Sequence, residues 1–159
     1  MIALLADIAI GIAATALLGL VVVQGWQVIA RYVLNDSPSW TEPVTLLLLS
    51  TAMSLGAAAG VHSKRHFGFY LFKDSGGPAL RRVLQVIPAL VIAAIGATMA
   101  GWGWILLLDG LDIHAAGADI PQSINYLPLS IGGLLMMVFA LEQLVDALAG
   151  TNSTLQGSN

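Results

Sequence analysis

The chain is predicted to be an all-α, polytopic membrane protein with four transmembrane helices. Four stretches contain no Asp, Glu, Lys or Arg, at residues 8–30, 43–61, 83–108 and 120–141. Each is close to, or above, the roughly 20 apolar residues that a helix needs to cross a bilayer. Of the 159 residues, 57% are hydrophobic and 9% charged, whereas soluble domains are about 25% charged. A soluble fold could not bury this much apolar surface.

The first two spans form a hairpin. Span one is placed at about residues 5–32 and ends before the turn-forming run at residues 35–38. Span two is placed at about residues 42–61. Ser39 or Thr41 is the expected helix cap, and Pro43 fits the first turn because its missing N–H has no helical partner there.

The last two spans form a second hairpin. Span three is placed at about residues 82–108 and contains Pro88, which is expected to kink or loosen it. Span four is placed at about residues 126–149, with Pro128 in its first turn. Residues 1–149 therefore form one four-helix domain. The polar, Gly/Ser/Asn-rich residues 150–159 are predicted to be disordered.

The distribution of Lys and Arg predicts the orientation. Most basic residues lie between spans two and three, whereas the segment between spans three and four has no Lys or Arg. Because basic loops stay on the cytoplasmic side, the middle loop and both termini are expected there. The tryptophans fall toward the opposite ends of the spans, where an aromatic belt at the outer interface is expected. They are Trp26, Trp40, Trp102 and Trp104.

The middle loop is expected to contact lipid. Residues 62–73 mix basic and bulky apolar side chains, which favours a short amphipathic helix in the inner headgroup region. A plain loop with aromatic anchors is the alternative. The predicted lipid-interface residues are Lys64, Arg65, His66, Phe67, Tyr70, Lys73, Arg81 and Arg82.

The spans carry no evident site for chemistry. The charged residues lie at or near span ends, whereas proton and ion paths place ionisable groups inside the membrane. The histidines lie in loops, although a haem-binding anchor needs them on the spans. His62 and His66 have the spacing of a metal pair, but no third ligand is near them in the sequence. We therefore predict no catalytic residue, no metal site and no cofactor.

Two features favour contacts between helices or with another protein. Gln24, Gln27 and Arg31 share one face at the outer end of span one. This face either reaches headgroups and neighbouring helices, meets a partner, or places Arg31 to pair with Glu42. Rows of small residues on three spans indicate a packed bundle, or a bundle docked on another protein. Their glycines are Gly11, Gly19, Gly56, Gly60 and Gly101.

The order of local features carries a family resemblance. Residues 28–32 (VIARY) close span one and are followed by Asn35. Residues 40–42 (WTE) open span two, and a basic loop with His66 follows it. Residues 120–121, 126–128 and 132–137 lead into span four. This order, on a chain of this length, resembles the small membrane subunit (DctQ-like) of tripartite ATP-independent periplasmic (TRAP) transporters. The family often has a second acidic residue after Glu42, where this chain has Pro43.

The resemblance implies a non-catalytic subunit of a multi-pass transporter in the bacterial inner membrane. Its partners would be a large DctM-like membrane subunit, which holds the substrate and sodium sites, and a periplasmic substrate-binding protein. Transport would be sodium-coupled import of an organic acid or related solute, with the small subunit bracing the large one. Arg31, Trp40 and Glu42 match the family pattern and are expected to hold the first hairpin or to contact these partners.

Two other functions fit a small helical membrane protein. It could anchor a redox enzyme, which a haem band in the absorption spectrum would reveal. It could also assemble with itself into a small channel or exporter, which would give a stable homo-oligomer with its own solute flux.

Overall fold

The computed structural model describes residues 2–36, 38–63, 78–115 and 121–156. No strand occurs in these ranges. Four helices are each long and apolar enough to cross a membrane, which confirms the predicted all-α, four-span fold. A 3₁₀ helix, η1, precedes the last of them. The elements are α1 (Ile2–Tyr32), α2 (Thr41–His62), α3 (Pro78–Asp109), η1 (Gln122–Tyr126) and α4 (Leu127–Gln156).

The helices are arranged in the spatial order α1, α2, α4, α3. Helices α2 and α4 contact each other, α1 packs mainly on α2, and α3 packs mainly on α4. Helices α1 and α3 are therefore edge helices. The α1–α2 connection and the α3–α4 connection lie at the same end, which we call the hairpin end. The α2–α3 connection lies at the opposite end, which we call the middle-loop end.

The α1–α2 connection is closed by backbone geometry. Asn35 has a φ of 57°, a left-handed conformation that Asn adopts more easily than most residues. The Asp36 N–H donates to the Ala30 carbonyl (3.1 Å), which ends α1. The predicted side-chain cap of α2 is wrong. Trp40, and not Ser39 or Thr41, occupies the cap position, and its side chain makes no capping hydrogen bond. The buried Thr41 hydroxyl donates back to the Pro38 carbonyl (2.7 Å).

The second hairpin follows the prediction more closely. Helix α4 begins at Leu127, so Pro128 lies in its first turn as expected. The sequence did not predict η1, which is fixed by the preceding connection. The Gln122 N–H donates to the Ile113 carbonyl (2.8 Å), and the Ser123 N–H donates to the Gly110 carbonyl (3.3 Å). These bonds hold the start of α4 against the end of α3.

Two predicted segments are only partly described. Helix α4 continues to Gln156, so residues 150–156 are helical where disorder was expected. Adding residues to an existing helix avoids the cost of nucleation. Residues 157–159 lie outside the described ranges. So does most of the predicted interfacial helix, including Lys64, Arg65, His66, Phe67, Tyr70 and Lys73. Arg81 and Arg82 lie in the first turns of α3.

Helix α1 packs on α2 through alanines. Its buried residues include Ala6, Ala9, Ala13 and Ala16, which recur every three or four positions. Ala9 and Ala13 pack against Leu55 and Ala59 of α2. Small side chains at this spacing let two helices approach closely in a membrane. The row facing α2 is thus made mainly of alanines, and Gly11 of the predicted small-residue row lies outside it.

Helices α3 and α4 meet through glycines. A Cβ added to Gly133 would lie 2.6 Å from the Ala100 backbone nitrogen. A Cβ added to Gly96 would lie 2.7 Å from the Met137 backbone nitrogen. Both distances are far below ordinary contact, and the opposing atoms belong to the backbone, so neither neighbour can move aside as a side chain would. These two positions therefore need glycine at the present helix separation.

The glycines of the predicted small-residue rows differ in their surroundings. A Cβ on Gly19 would contact Leu48 at 3.5 Å, and one on Gly56 would contact Ala13 at 3.9 Å. Gly60 is half-buried in α2. Gly11 and Gly101 have no atom of another helix within 4 Å of such a Cβ. They do not pack the described helices of this chain together.

Candidate functional site

The predicted partner-binding residues gather at the hairpin end of α1 and α2. Most of their side chains are exposed, and Gln27 alone among them is half-buried. They therefore lie on the surface of the bundle, where another protein or lipid can reach them. They are Gln24, Gln27, Arg31, Trp40 and Glu42.

The structure separates the two glutamines. Gln27 continues the row that faces α2, between the half-buried Val23 and the buried Ala30. Gln24 and Arg31 are seven residues apart, which is close to two helical turns, so they lie on the same side of α1. Both are exposed. The face predicted from the sequence therefore divides into an inward position and an outward pair.

Arg31 does not close the first hairpin through Glu42. Within the described residues these side chains form no ion pair with each other, and both are exposed. The Asn35 turn and the bond from Thr41 to Pro38 close the hairpin instead. Of the alternatives that the sequence left open, contact with headgroups and contact with a partner remain.

Serine hydroxyls join α2 to the start of α4. The buried Ser54 Oγ lies 2.8 Å from the Pro128 carbonyl oxygen and 2.6 Å from the Ser50 carbonyl oxygen. The Ser50 hydroxyl donates to the Asn125 carbonyl (3.0 Å). The four-residue spacing of these serines is visible in the sequence, but their acceptors lie more than seventy residues away.

A cleft of about 290 Å³ opens beside these bonds, between α2 and η1. Its described lining offers hydroxyl and amide groups and contains no carboxylate, amine or imidazole. The Asn125 Oδ1 atom is buried and has no hydrogen-bond partner among the residues that the structure describes. The lining residues are Leu46, Ser50, Gln122, Asn125, Tyr126 and Leu129.

Polar contacts at the middle-loop end also join α2 to α4. His62 Nδ1 lies 3.7 Å from Glu142 Oε2, and its ring lies 5.1 Å from that of Phe139. The Gln143 side-chain amide donates to the Val61 carbonyl near the end of α2. The sequence predicts His62 in a loop, because nothing local indicates partners about 80 residues away. The described residues contain no group of three or more His, Asp or Glu side chains arranged to hold a metal.

Most of the four-helix bundle is similar to one family of membrane proteins. Residues 5–150 match the family described as "Tripartite ATP-independent periplasmic transporters, DctQ component". No curated protein sequence matches the chain. The matched range includes all four helices and the polar residues of the hairpin end. Since it covers nearly all of the sequence, the chain belongs to the DctQ family of TRAP transporter components.

Proposed function

We propose that this chain is the non-catalytic small membrane subunit of a TRAP-type secondary transporter. The transporter imports an organic acid or a related solute and uses a sodium gradient. The match of residues 5–150 to the DctQ family is the observation that carries this proposal. The small subunit serves as a brace in the bilayer for a large DctM-like subunit, which carries the transport sites.

The position of the charges supports an accessory role. The described charged side chains of α1 and α3 lie toward the helix ends, as at Asp7, Arg31 and Asp109, and Glu142 of α4 lies beside His62 at the middle-loop end of the bundle. Ion and proton paths need ionisable groups deeper in the membrane. A chain built in this way depends on a partner for the sodium and substrate sites.

The packing of α2, α3 and α4 supports the bracing role. Gly96 and Gly133 bring α3 and α4 into backbone contact, and Ser54 bonds α2 to α4. Close-packed interfaces resist deformation because a small displacement already loses contacts or creates clashes. Three helices joined in this way form a stiff unit against which a moving subunit can work.

The proposed orientation places the hairpin end toward the periplasm. The chain is a multi-pass protein of the bacterial inner membrane with both termini in the cytoplasm. Exposed Arg31, Trp40 and Glu42 then lie where the large subunit and the periplasmic substrate-binding protein can reach them. The basic residues of the middle loop, including Lys64 and Arg65, contact anionic lipid on the cytoplasmic side.

The first test is affinity purification of the chain from its native membrane, followed by mass spectrometry. A large polytopic subunit in near-equal amount is the expected result. Proteoliposomes containing both subunits should then take up solute with the binding protein, and only with an inward sodium gradient. Recovery of a homo-oligomer with its own flux, or of a partner carrying haem or flavin, would contradict the proposal.

A further inference from the structure

The membrane-spanning part of α1 contains an amide, that of Gln24, with no hydrogen-bond partner among the described residues. The two exposed threonines deep in the spans bond to their own helix. The Thr15 hydroxyl donates to the Gly11 carbonyl (2.8 Å), and the Thr98 hydroxyl donates to the Ala94 carbonyl (2.7 Å). Gln24 is exposed, and its amide forms no hydrogen bond within the described part of the chain. Its environment outside the chain must therefore satisfy this group.

Gln24 lies within the apolar depth of the membrane. Asp7 and Arg31 flank the uncharged stretch and are about 36 Å apart along the helix, slightly more than the hydrocarbon thickness of about 30 Å. Gln24 lies about 10 Å along the helix from Arg31. At that depth lipid chains offer neither donors nor acceptors, and an unpaired amide is costly.

The side of α1 that carries Gln24 is exposed. Helix α1 is an edge helix that packs mainly on α2. Next to the row that faces α2, a strip of positions at spacings of three, four and seven residues is exposed throughout. We call this surface the α1 flank, and it comprises Leu17, Gln24, Val28 and Arg31.

Arg31 gives the α1 flank a second polar group. The guanidinium is exposed and forms no ion pair within the described residues. A lipid phosphate could satisfy Arg31 alone, but lipid could not also satisfy Gln24 two turns deeper. A helix that crosses the membrane beside α1 can supply hydrogen-bonding partners for both Gln24 and Arg31 at this spacing. The pair of side chains therefore favours a protein helix over lipid as the occupant.

We propose that the α1 flank binds a transmembrane helix of the large subunit. That helix carries an amide, hydroxyl or carboxyl group opposite Gln24 and a carboxylate or free backbone carbonyls opposite Arg31. The apolar positions of the flank, Leu17 and Val28, pack against its side chains. This inference rests on the proposed function, because it specifies the surface that meets the partner.

Cross-linking tests the contact directly. The chain has no cysteine, so single cysteines can be introduced without background and labelled with a photoreactive maleimide. Leu17→Cys, Gln24→Cys and Val28→Cys probe the α1 flank in membranes containing the full transporter. Ile95→Cys and Thr98→Cys are matched controls on the exposed side of the other edge helix, α3. Adducts with the large subunit are expected from the first set and not from the second.

Substitution tests the role of the amide. Gln24→Leu is expected to lower the affinity for the large subunit several-fold, because one interhelical hydrogen bond is lost in lipid. Gln85→Leu is the control, since this exposed amide of α3 lies close to the helix end where headgroups reach it. Both variants should keep the helicity and melting temperature of the isolated small subunit.

Three outcomes would overturn the α1 flank as the binding surface. They are adducts with lipid only, adducts with the large subunit from α3 instead of α1, and an unchanged affinity in Gln24→Leu. These results require that the wild-type chain recovers the large subunit. If it does not, the proposed function itself fails, so the failure of the surface and the failure of the function are distinguishable.

Discussion

At the scale of single residues, the same amino acid has opposite roles at different positions of α3. Gly96 lies against the backbone of α4, whereas Gly101 faces open space, only five residues further along the same helix. Replacing either glycine with alanine adds one methyl group. At Gly96 that group collides with fixed atoms, while at Gly101 it only improves helix propensity, by up to about 1 kcal/mol.

We therefore expect Gly96→Ala and Gly101→Ala to shift stability in opposite directions. Gly96→Ala should destabilise the bundle by about 1–3 kcal/mol, the usual range for overpacking. Gly101→Ala should be neutral or slightly stabilising. Unfolding of the purified chain in mixed micelles by a denaturing detergent would measure both. Equal stability of the two variants would show that the α3–α4 separation is not set at Gly96.

Ser54 illustrates how a hydroxyl can act between helices. Its oxygen is buried and lies within hydrogen-bond distance of Pro128 in α4, whereas the Thr98 hydroxyl bonds only to its own helix. Ser54→Ala should destabilise the bundle by about 1 kcal/mol, in the range measured for interhelical hydrogen bonds in membranes. Thr98→Val should be close to neutral. The same unfolding assay applies, and a larger effect of Thr98→Val would contradict the assignment.

At the scale of helices, α1 and α3 are held by different means. Alanines join α1 to α2, and glycines in backbone contact join α3 to α4. Contacts between hydrogen-bonding groups add to the interface of α2 and α4, at Ser54 beside the start of α4 and at His62 and Gln143 beside the end of α2. The two middle helices are therefore joined at two separate levels, whereas each edge helix depends mainly on one neighbour.

The alanine row gives a prediction for α1. Ala9→Leu enlarges a residue that is 2% exposed against α2 and should cost about 1–3 kcal/mol through overpacking. Ala14→Leu enlarges an exposed alanine of the same helix and should leave stability nearly unchanged. Fluorescence transfer between labels on α1 and α2 would report the separation directly. An unchanged separation in Ala9→Leu would argue against the observed packing face.

At the scale of the whole molecule, binding and stiffness reside in different parts. The proposed partner surface lies on α1, whereas the closest backbone contacts lie between α3 and α4, on the far side of the array. A brace needs both a binding surface and a stiff core, because a partner bound to a deformable subunit is not held in a fixed position. Loosening α3 should therefore affect transport without preventing assembly.

Gly103→Val tests this separation. Its Cβ would lie 2.7 Å from the Ser130 Oγ atom and 3.1 Å from the Ser130 backbone nitrogen, so the substitution should push α3 away from α4. Sodium-dependent uptake should fall several-fold while the large subunit is still recovered in near-equal amount. Gly101→Val is the matched control and should keep full uptake. Loss of the large subunit in Gly103→Val would mean that stiffness and binding are not separable.

The sequence alone determined the number of spans and, to within one residue, where the four helices end at the hairpin end. Lipid leaves no water for unpaired backbone groups, so a long uncharged stretch has little choice but a helix. Residues 35–38 and Pro128 then marked where helices stop and start. The ordered motifs around Arg31, Trp40 and Glu42 also indicated the DctQ family, which the match to residues 5–150 confirms.

Only the tertiary structure decided which faces of the helices meet. In lipid both the buried and the exposed faces of a span are apolar, so hydrophobic periodicity does not distinguish them. Gly11 and Gly96 look alike in the sequence, and so do Ala9 and Ala14, yet one of each pair is packed and the other open. Likewise, only the position of α2 shows that Gln27 faces inward while Gln24 and Arg31 are exposed. Contact depends on the neighbouring backbone, and that neighbour comes from a distant part of the chain.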